Sequence, residues 1–442
     1  VAYGAQDIYL TGNPQITFFK VVYRRHTNFA MENIQQTFSG NPEFGKRATA
    51  IISRNGDLIN SSYLQVDLPS LGNELWELTN NGTSGADLDA SNFELCWTNY
   101  IGLAMINHVT VEIGGQEIDK HYGHWMYVWQ ELTMTAEKAQ GYKRMVGGND
   151  GSAWLLLGNA TESQQLHVPL DFWFNINAGL ALPLIALQYH EVKLIFQFRE
   201  FRELVVLVDK TTGRQVLSDE WSFKSGISKP QPVVELFIDY IYLDTDERRR
   251  FAQMSHEYLI EQVQHNETSV DLTKGGVLSQ RLTFNHPCKE LLWFFVRRDN
   301  QENNDWFNFS NSTPGNEKLG PDILKSSVLR LNGHYRFNPK RGPLFFRQWQ
   351  PFIHHTRVPD SNLYCYSFAL RPEEHQPSGT CNFSRIDNTM LEFEMNTDAL
   401  AQSPVVSDLQ FPNARSALMT VYARNYNVLR VMSGMGGLAY SN

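Results

Sequence analysis

The sequence predicts an all-β protein of two similar domains, each an antiparallel sandwich or jelly roll with long insertion loops and a few short helices. Length, residue alternation and internal recurrence support this prediction. The 442 residues exceed one ordinary domain, so two domains of roughly 200 residues each are expected. Aromatic residues make up 12% of the chain, and together with abundant Val, Ile and Thr they favour strands, where branched and flat side chains pack well.

Alternation of apolar and polar residues marks the strands. In residues 192–198 the apolar Val192, Leu194, Phe196 and Phe198 share one face, and Lys193 and Gln197 lie on the other, as a half-buried strand requires. Residues 391–395 repeat this pattern in the second half of the chain.

Two segments predict hairpins, and they occupy corresponding places in the two halves. Residues 109–118 contain the turn Gly114-Gly115, and residues 328–337 contain Asn332-Gly333. Both dipeptides tolerate the positive φ that two-residue hairpin turns need. A strand-rich block precedes each hairpin, and an aromatic strand closes each half, at 236–243 and 419–428. We interpret this order as an internal duplication.

Helices are predicted at residues 127–144 and 244–256. The second begins with acidic residues and continues with Arg248, Arg249 and Arg250, the order that a helix dipole favours. It lies between the two repeats and is interpreted as the connector. For the three arginines, a solvated or salt-bridging face is favoured over a phosphate-binding cluster.

Polar stretches at 72–92, 147–165 and 299–320 are interpreted as insertion loops on the surface. The glycine-rich residues 434–437 are interpreted as a flexible tail. The longest apolar run, 180–187, is far shorter than the roughly 20 residues of a membrane-spanning helix.

The sequence indicates no enzyme, metal site or cofactor. Nucleotide-binding, metalloprotease and hydrolase motifs are absent. The pairs His121/His124 and His354/His355 lack the His-x-His spacing with a following Glu that a jelly-roll metal enzyme would use. Four scattered cysteines are expected to be free buried thiols. A formal net charge of −9 argues against direct nucleic-acid binding, which normally needs a basic face.

Longer segments are more specific than these patterns. They include YGAQDIYLTGNPQITFFK at 3–20, SRNGDL at 53–58, EIGGQ at 112–116, LPLIALQYHEV at 182–192, HEYLIEQ at 256–262, QPSGTCNFSRIDN at 376–388 and NYNVLR at 425–430. In these blocks, which span the whole chain, the sequence closely resembles the major capsid proteins of nucleocytoplasmic large DNA viruses. The resemblance is strongest to those of the phycodnavirus or chlorella virus type. Departures concentrate in the three polar loops.

The resemblance implies a double jelly roll of two eight-stranded antiparallel sandwiches. It also implies a homotrimeric capsomer of pseudo-hexagonal outline that tiles the icosahedral shell of a large double-stranded DNA virus. Expected partners are further copies of the chain and minor capsid proteins beneath the shell. An internal membrane is expected nearby but not spanned. The expected location is the virion, with assembly in the host cytoplasm.

We expect an N-terminal arm at 1–15, a first jelly roll at 16–243, the connector at 244–256 and a second jelly roll at 257–442. Asn13-Pro14 favours an extended or turning backbone in the arm. The alternative function is a carbohydrate-binding jelly-roll protein, because that sandwich hosts many lectins.

Of seven Asn-x-Ser/Thr sequons, Asn308 and Asn311 cluster in the 299–320 loop. This loop is predicted to lie on the outward surface and to carry glycans at these two residues, with Trp306, Phe307 and Phe309 as its internal anchor. An unmodified polar loop is the alternative.

Overall fold

Strands dominate the computed structural model, which describes residues 4–14, 25–79, 90–149, 153–312, 321–337, 341–396 and 415–441. The strands of the first half are β1 (Phe29–Gln36), β2 (Phe38–Ser39), β3 (Arg47–Ile51), β4 (Leu58–Leu68), β5 (Trp76–Leu78), β6 (Phe93–Trp97), β7 (Ile106–Ile113), β8 (Gln116–Tyr122), β9 (Gln164–Pro169), β10 (Leu182–Pro183), β11 (Val192–Phe198), β12 (Val205–Asp209), β13 (Gln215–Val216), β14 (Trp221–Phe223) and β15 (Val233–Leu243).

The second half is also built mainly from strands. They are β16 (His256–Asp271), β17 (Val277–Arg281), β18 (Pro287–Arg297), β19 (Leu324–Leu331), β20 (His334–Tyr335), β21 (Tyr364–Ser367), β22 (Cys381–Asn382), β23 (Thr389–Met395), β24 (Ser416–Met432) and β25 (Met435–Leu438).

Helices are short by comparison. They are α1 (Ile8–Thr11), α2 (Ile101–Ala104), α3 (Gly123–Thr133), α4 (Ala136–Met145), α5 (Trp173–Ile176), α6 (Thr245–Gln253), α7 (Arg298–Glu302) and α8 (Gln350–His354), the last preceded by a π-helical turn, Phe345–Trp349. Among the described residues, none of these helices combines the length and apolarity needed to cross a membrane.

Two sandwiches share one strand order. In the first, a sheet β1-β15-β4 with β9 beside β4 packs on a sheet β3-β11-β7-β8. In the second, β16-β24-β18-β21 packs on β17-β23-β19-β20. Within the described residues each sandwich therefore has eight principal strands, all antiparallel to their neighbours. Short strands extend both sandwiches, and β13-β12-β6 and β14-β5 form two further small sheets in the first half. The predicted double jelly roll is confirmed.

Both predicted hairpins form. Gly114 and Gly115 have φ of 58° and 85° between β7 and β8, and Asn332 and Gly333 have φ of 48° and 84° between β19 and β20. The alternating segment 192–198 is strand β11 itself, with Lys193 and Gln197 half-buried and the apolar residues buried. Turn chemistry and alternation thus located these strands correctly.

The prediction of one helix at 127–144 is wrong. Two helices, α3 and α4, flank Met134 and Thr135, whose ψ values of 127° and 151° are extended. The hydroxyl of Thr133 donates to the carbonyl of Trp129 at 2.7 Å, and threonine is a weak helix former. The apolar α3 is buried while the charged α4 lies at the surface, so the chain turns between two different environments.

The predicted connector helix is present as α6, with Asp244 accepting a hydrogen bond from the Thr245 amide at its start. Arg248 Nε lies 2.9 Å from Asp57 Oδ1 in the first sandwich, and Arg250 lies 3.7 Å from Glu247. The expected salt-bridging role is therefore confirmed for these two arginines.

The expected flexible tail at 434–437 is wrong, because Gly434 lies in the turn that leads into β25 and residues 435–437 belong to that strand. This strand pairs with β24 and reaches the first sandwich, where the Gly436 amide donates to His190 Nδ1 at 3.1 Å and the Leu438 amide donates to Gln116 Oε1 at 3.2 Å. A Cβ on Gly436 would lie 2.6 Å from the Leu187 side chain. Glycine at this position therefore allows the strand to approach the first sandwich closely, and does not make the segment flexible.

Gly114 and Gly115 provide a matched test of this C-terminal attachment. Both have positive φ, but a Cβ at Gly114 would lie 2.3 Å from His190 Nδ1, whereas nothing lies within 4 Å at Gly115. Gly114→Ala should therefore lower Tm by about 2–4 °C more than Gly115→Ala, the equivalent of about 1 kcal/mol in a domain of this size. Thermal unfolding followed by circular dichroism measures this difference. Equal effects of the two substitutions would contradict the proposed clash.

Candidate functional site

A contact between the sandwiches is made by residues 297–312, here called the wedge. This segment follows β18 of the second sandwich and inserts against the end of the first. It includes the whole described part of the predicted 299–320 surface loop, residues 299–312; residues 313–320 lie outside the described residues.

Polar atoms of the wedge bind backbone groups of the first sandwich. Asn304, at φ 62°, donates through Nδ2 to the carbonyls of Arg202 (2.7 Å) and Val205 (2.8 Å). Trp306 Nε1 donates to the carbonyl of Glu203 at 2.8 Å, and the Thr98 hydroxyl donates to the Asn304 carbonyl at 2.5 Å. These bonds satisfy backbone groups that would otherwise be buried without partners.

Aromatic rings of the wedge fill the space behind these hydrogen bonds. Phe307 lies 4.7 Å from Tyr127 in α3, and Phe309 stacks on Phe294 at 4.1 Å, both between ring centroids. The guanidinium of Arg199 lies 4.1 Å above the Trp306 ring. The predicted aromatic anchor is therefore real, but it attaches the loop to the other sandwich.

Arg297 closes the base of the wedge. It is fully buried, and its Nε donates to Asp299 Oδ1 at 2.9 Å while Nη1 donates to the carbonyl of Asn311 at 3.0 Å. Burial raises the pKa of Asp299, and the neighbouring guanidinium offsets this only in part. A charged pair without solvent access needs such hydrogen bonds to be tolerated.

This geometry argues against the predicted glycans at Asn308 and Asn311. The two residues are 1% and 2% exposed. Asn308 Nδ2, the atom that would carry an N-glycan, donates to Asp305 Oδ2 at 2.9 Å and to Ser312 Oγ at 3.1 Å. The prediction took polar composition as a sign of exposure, whereas these polar groups bond to one another inside the interface.

A second feature, here called the ionic cluster, consists of Glu261, Lys289, Glu290, His355 and Arg424. Lys289 Nζ lies 2.7 Å from Glu261 Oε1, and Arg424 pairs with Glu261 Oε2. His355 Nε2 lies 2.9 Å from Glu290 Oε2, and both side chains are fully buried.

Arg424 links the ionic cluster to the first sandwich, because its guanidinium lies 3.9 Å above the ring of Trp129 in α3. Stacking of this kind stabilises a desolvated arginine. The ionic cluster therefore lies under a contact between the two sandwiches, as the wedge does.

The charged groups of the ionic cluster shift one another's pKa values. Burial alone would lower the pKa of His355, but the Glu290 carboxylate outweighs it, so the pKa is held well above its usual value. Burial would raise the pKa of Glu261, yet Arg424 and Lys289 bring it down to about 2. Burial and the nearby Arg424 lower the pKa of Lys289 to about 8.

The histidine pairs of the sequence serve separate structural contacts. His121 lies 2.9 Å from Asp119 and stacks on Phe172, whereas a ring nitrogen of His124 lies 3.0 Å from the carbonyl of Trp306. His354 bonds the Leu370 carbonyl at 3.0 Å, while His355 belongs to the ionic cluster. In the part of the chain that the structure describes, no group of three or more metal-binding side chains occurs, and the four cysteines are free.

Comparison with known proteins identifies the family to which this architecture belongs. Residues 17–244 match the family model of the major capsid protein N-terminus, and residues 247–437 match that of the large eukaryotic DNA virus major capsid protein. The major capsid protein of Pyramimonas orientalis virus is 45% identical, over 100% of this chain and 98% of its own length. The chain belongs to the major capsid proteins of large eukaryotic DNA viruses. The major capsid protein of Paramecium bursaria Chlorella virus 1 is 40% identical over the same shares of both chains.

Solved structures agree with this assignment. The crystal structure of PBCV-1 VP54 superposes with a TM-score of 0.76 at 37% identity, covering 96% of this chain and 100% of that one. The Faustovirus major capsid protein, at 14% identity, shares the fold with a TM-score of 0.71. Major capsid proteins are structural, so the prediction of a non-enzymatic capsid protein is confirmed and the carbohydrate-binding alternative is set aside.

Phe309→Ala tests the wedge of this capsid protein. Removing a ring that is 1% exposed should leave a cavity between the sandwiches and lower the free energy of unfolding by roughly 3–5 kcal/mol. Phe29→Ala is the control, because Phe29 is 50% exposed and should change stability little. Urea unfolding of both variants measures the difference. A similar small effect for both would mean that the wedge does not hold the sandwiches together.

His355→Gln tests the ionic cluster through pH. The folded-state pKa of His355 is raised, so its stabilisation is complete below the unfolded pKa of about 6.5 and is lost as pH rises through the folded pKa. At pH 6 the free energy of unfolding of the variant should be roughly 3 kcal/mol lower than that of wild type. This difference should shrink towards pH 9.

Tm measured across this range for wild type, His355→Gln and the control His354→Gln provides the comparison. His354 bonds only a surface carbonyl, so its variant should show a small deficit without this pH trend. A His355→Gln deficit that stays constant or grows with pH would contradict a buried imidazolium.

Proposed function

We propose that this chain forms homotrimers of pseudo-hexagonal outline, which tile the icosahedral capsid of a large double-stranded DNA virus. The observation that carries the proposal is the pair of sandwiches with one strand order held side by side by the wedge. Three such chains around a threefold axis present six similar edges, and closed cyclic symmetry leaves those edges free for lattice contacts. Support also comes from the quasi-atomic model of the PBCV-1 virus capsid, which superposes with a TM-score of 0.75 at 37% identity.

The proposed division of the chain is an arm at 1–15, a first jelly roll at 16–243, a connector at 244–256 and a second jelly roll at 257–442. The first family model ends at residue 244 and the second begins at 247, at the start of α6. This boundary supports the proposed division. The described part of the arm, residues 4–14, is largely exposed and has one helical turn, Ile8–Thr11, before Asn13-Pro14.

The proposed partners are copies of the same chain and minor capsid proteins beneath the shell. Direct nucleic-acid binding is not proposed, because the formal net charge of −9 would repel phosphate. We place the protein in the virion, above an internal membrane that it does not span, after assembly in the host cytoplasm. Membership of the capsid family supports the location in the virion.

Mass in solution tests the trimer. Light scattering coupled to gel filtration at micromolar concentration should give about 152 kDa, three times the chain mass of 50.8 kDa. Negative-stain images of the same fraction should show particles of hexagonal outline. A monomer at all concentrations, or a dimer, would refute the proposal.

A further inference from the structure

A ridge of exposed apolar side chains on the second sandwich has no partner within the described residues. It consists of Leu344, Trp349, Phe352, Ile353 and Leu370, here called the apolar ridge. Their exposed fractions are 63%, 53%, 72%, 50% and 73%. Single exposed apolar residues are common, but a contiguous group of large ones marks an interaction surface.

The helical turns that carry the ridge bring four of its five members together. Trp349, Phe352 and Ile353 have the i, i+3, i+4 spacing of one helix face, and the Trp349 and Phe352 rings stack at 6.3 Å between centroids. Leu370 joins them because its carbonyl accepts a bond from His354 at 3.0 Å.

The opposite face of the same turns is fixed to the second sandwich. Phe346 is fully buried and lies 5.0 Å from Trp293, and Gln350 Oε1 accepts a hydrogen bond from the Ser367 amide at 3.1 Å. The ridge is therefore held on a rigid support, which lowers the entropic cost of binding through it.

The charged residues near the apolar ridge limit the class of molecule that could bind to it. In residues 344–354 the one Lys, Arg, Asp or Glu is Arg347, and it bonds inward to Asp322 at 3.2 Å and to Asn362 at 2.6 Å. Arg371, next to Leu370, is exposed but pairs with Glu374 at 3.0 Å. Nucleic acid or an anionic lipid surface would need free basic groups beside the apolar residues. An aromatic centre depleted of charge is instead typical of a protein interface.

The same insertion already makes contacts between sandwiches within one chain. It lies between β20 and β21, in the place that α3 and α4 occupy between β8 and β9 of the first sandwich. Just after α8, the Arg357 amide donates to the Leu132 carbonyl at the end of α3 at 2.9 Å, and its guanidinium pairs with Glu131. If sandwiches alternate around a trimer, each such insertion also meets the first sandwich of the next chain.

We propose that the apolar ridge is the part of the second sandwich that binds a neighbouring copy of this chain within the trimer. This rests on the trimer proposed above and adds the residues that form its contact. Five large side chains exposed by half or more offer on the order of 600 Å², if Leu and Ile are taken near the lower end of the roughly 150–250 Å² that an aromatic side chain buries when fully covered. A specific interface takes about 800 Å² from each partner, so the ridge supplies most of one.

The test is the double variant Phe352→Glu with Leu370→Glu, measured by light scattering beside wild type. Two buried carboxylates should raise the trimer dissociation constant at least about a hundredfold, giving monomers of 50.8 kDa where wild type is trimeric. Met254→Glu is the control, because Met254 is 60% exposed, follows α6 and gains one carboxylate, as each of the two ridge positions does; it should remain trimeric.

The outcomes separate the two proposals. A wild-type trimer with a trimeric double variant would overturn the ridge contact alone, whereas a monomeric wild type would overturn the trimer and the contact with it.

Hydroxyl-radical footprinting of wild-type trimer gives a second readout that does not depend on variant folding. Protection of Trp349 and Phe352 supports the contact, and labelling at the level of free side chains overturns it. Sedimentation of wild type with phosphatidylcholine–phosphatidylserine vesicles, lost in the double variant, would assign the ridge to lipid and overturn the proposal.

Discussion

The insertion of the wedge into the end of the first sandwich determines how the two jelly rolls lie relative to each other. One continuous apolar cluster runs from Trp97 and Tyr127 in the first sandwich through Phe307 and Phe309 to Tyr422 in the second. Opening the interface would expose these rings to water and break the hydrogen bonds that Asn304 and Trp306 donate to carbonyls of the first sandwich. Because both costs arise together, the two sandwiches behave as one unit.

The ionic cluster adds directional constraint to this apolar contact. Buried charges are weak sources of net stability, since desolvation cancels much of the attraction. Their geometry is nevertheless demanding: Glu261 must meet Lys289 and Arg424 at once, while Arg424 also stacks on Trp129. A shift of one sandwich would separate Arg424 from Trp129. We infer that the ionic cluster selects one relative placement out of the many that an apolar surface alone would allow.

Sequence reasoning predicted the elements whose cause is local. Strand β11 followed from alternation, and the Gly114-Gly115 and Asn332-Gly333 hairpins from turn chemistry. It failed where tertiary contact decides. The wedge was expected at the surface because Asn and Ser dominate it, yet these residues supply hydrogen bonds to buried backbone. Its aromatic residues were the signal that could have placed it inside. The pairing of His355 with Glu290 joins residues distant in sequence and left no local pattern.

A fixed angle between sandwiches is what ring closure demands of a duplicated chain. In the proposed trimer each chain contributes two of six edges, so an angular error within a chain is repeated three times around the ring. A flexible joint would let the ring stay open or close with other numbers of copies, because heterologous contacts close only when the rotation fits. The wedge and the ionic cluster remove that freedom before assembly. The apolar ridge, held on the rigid support of Phe346 and Gln350, can then meet its neighbour at one orientation, so the binding free energy is not consumed in ordering the chain.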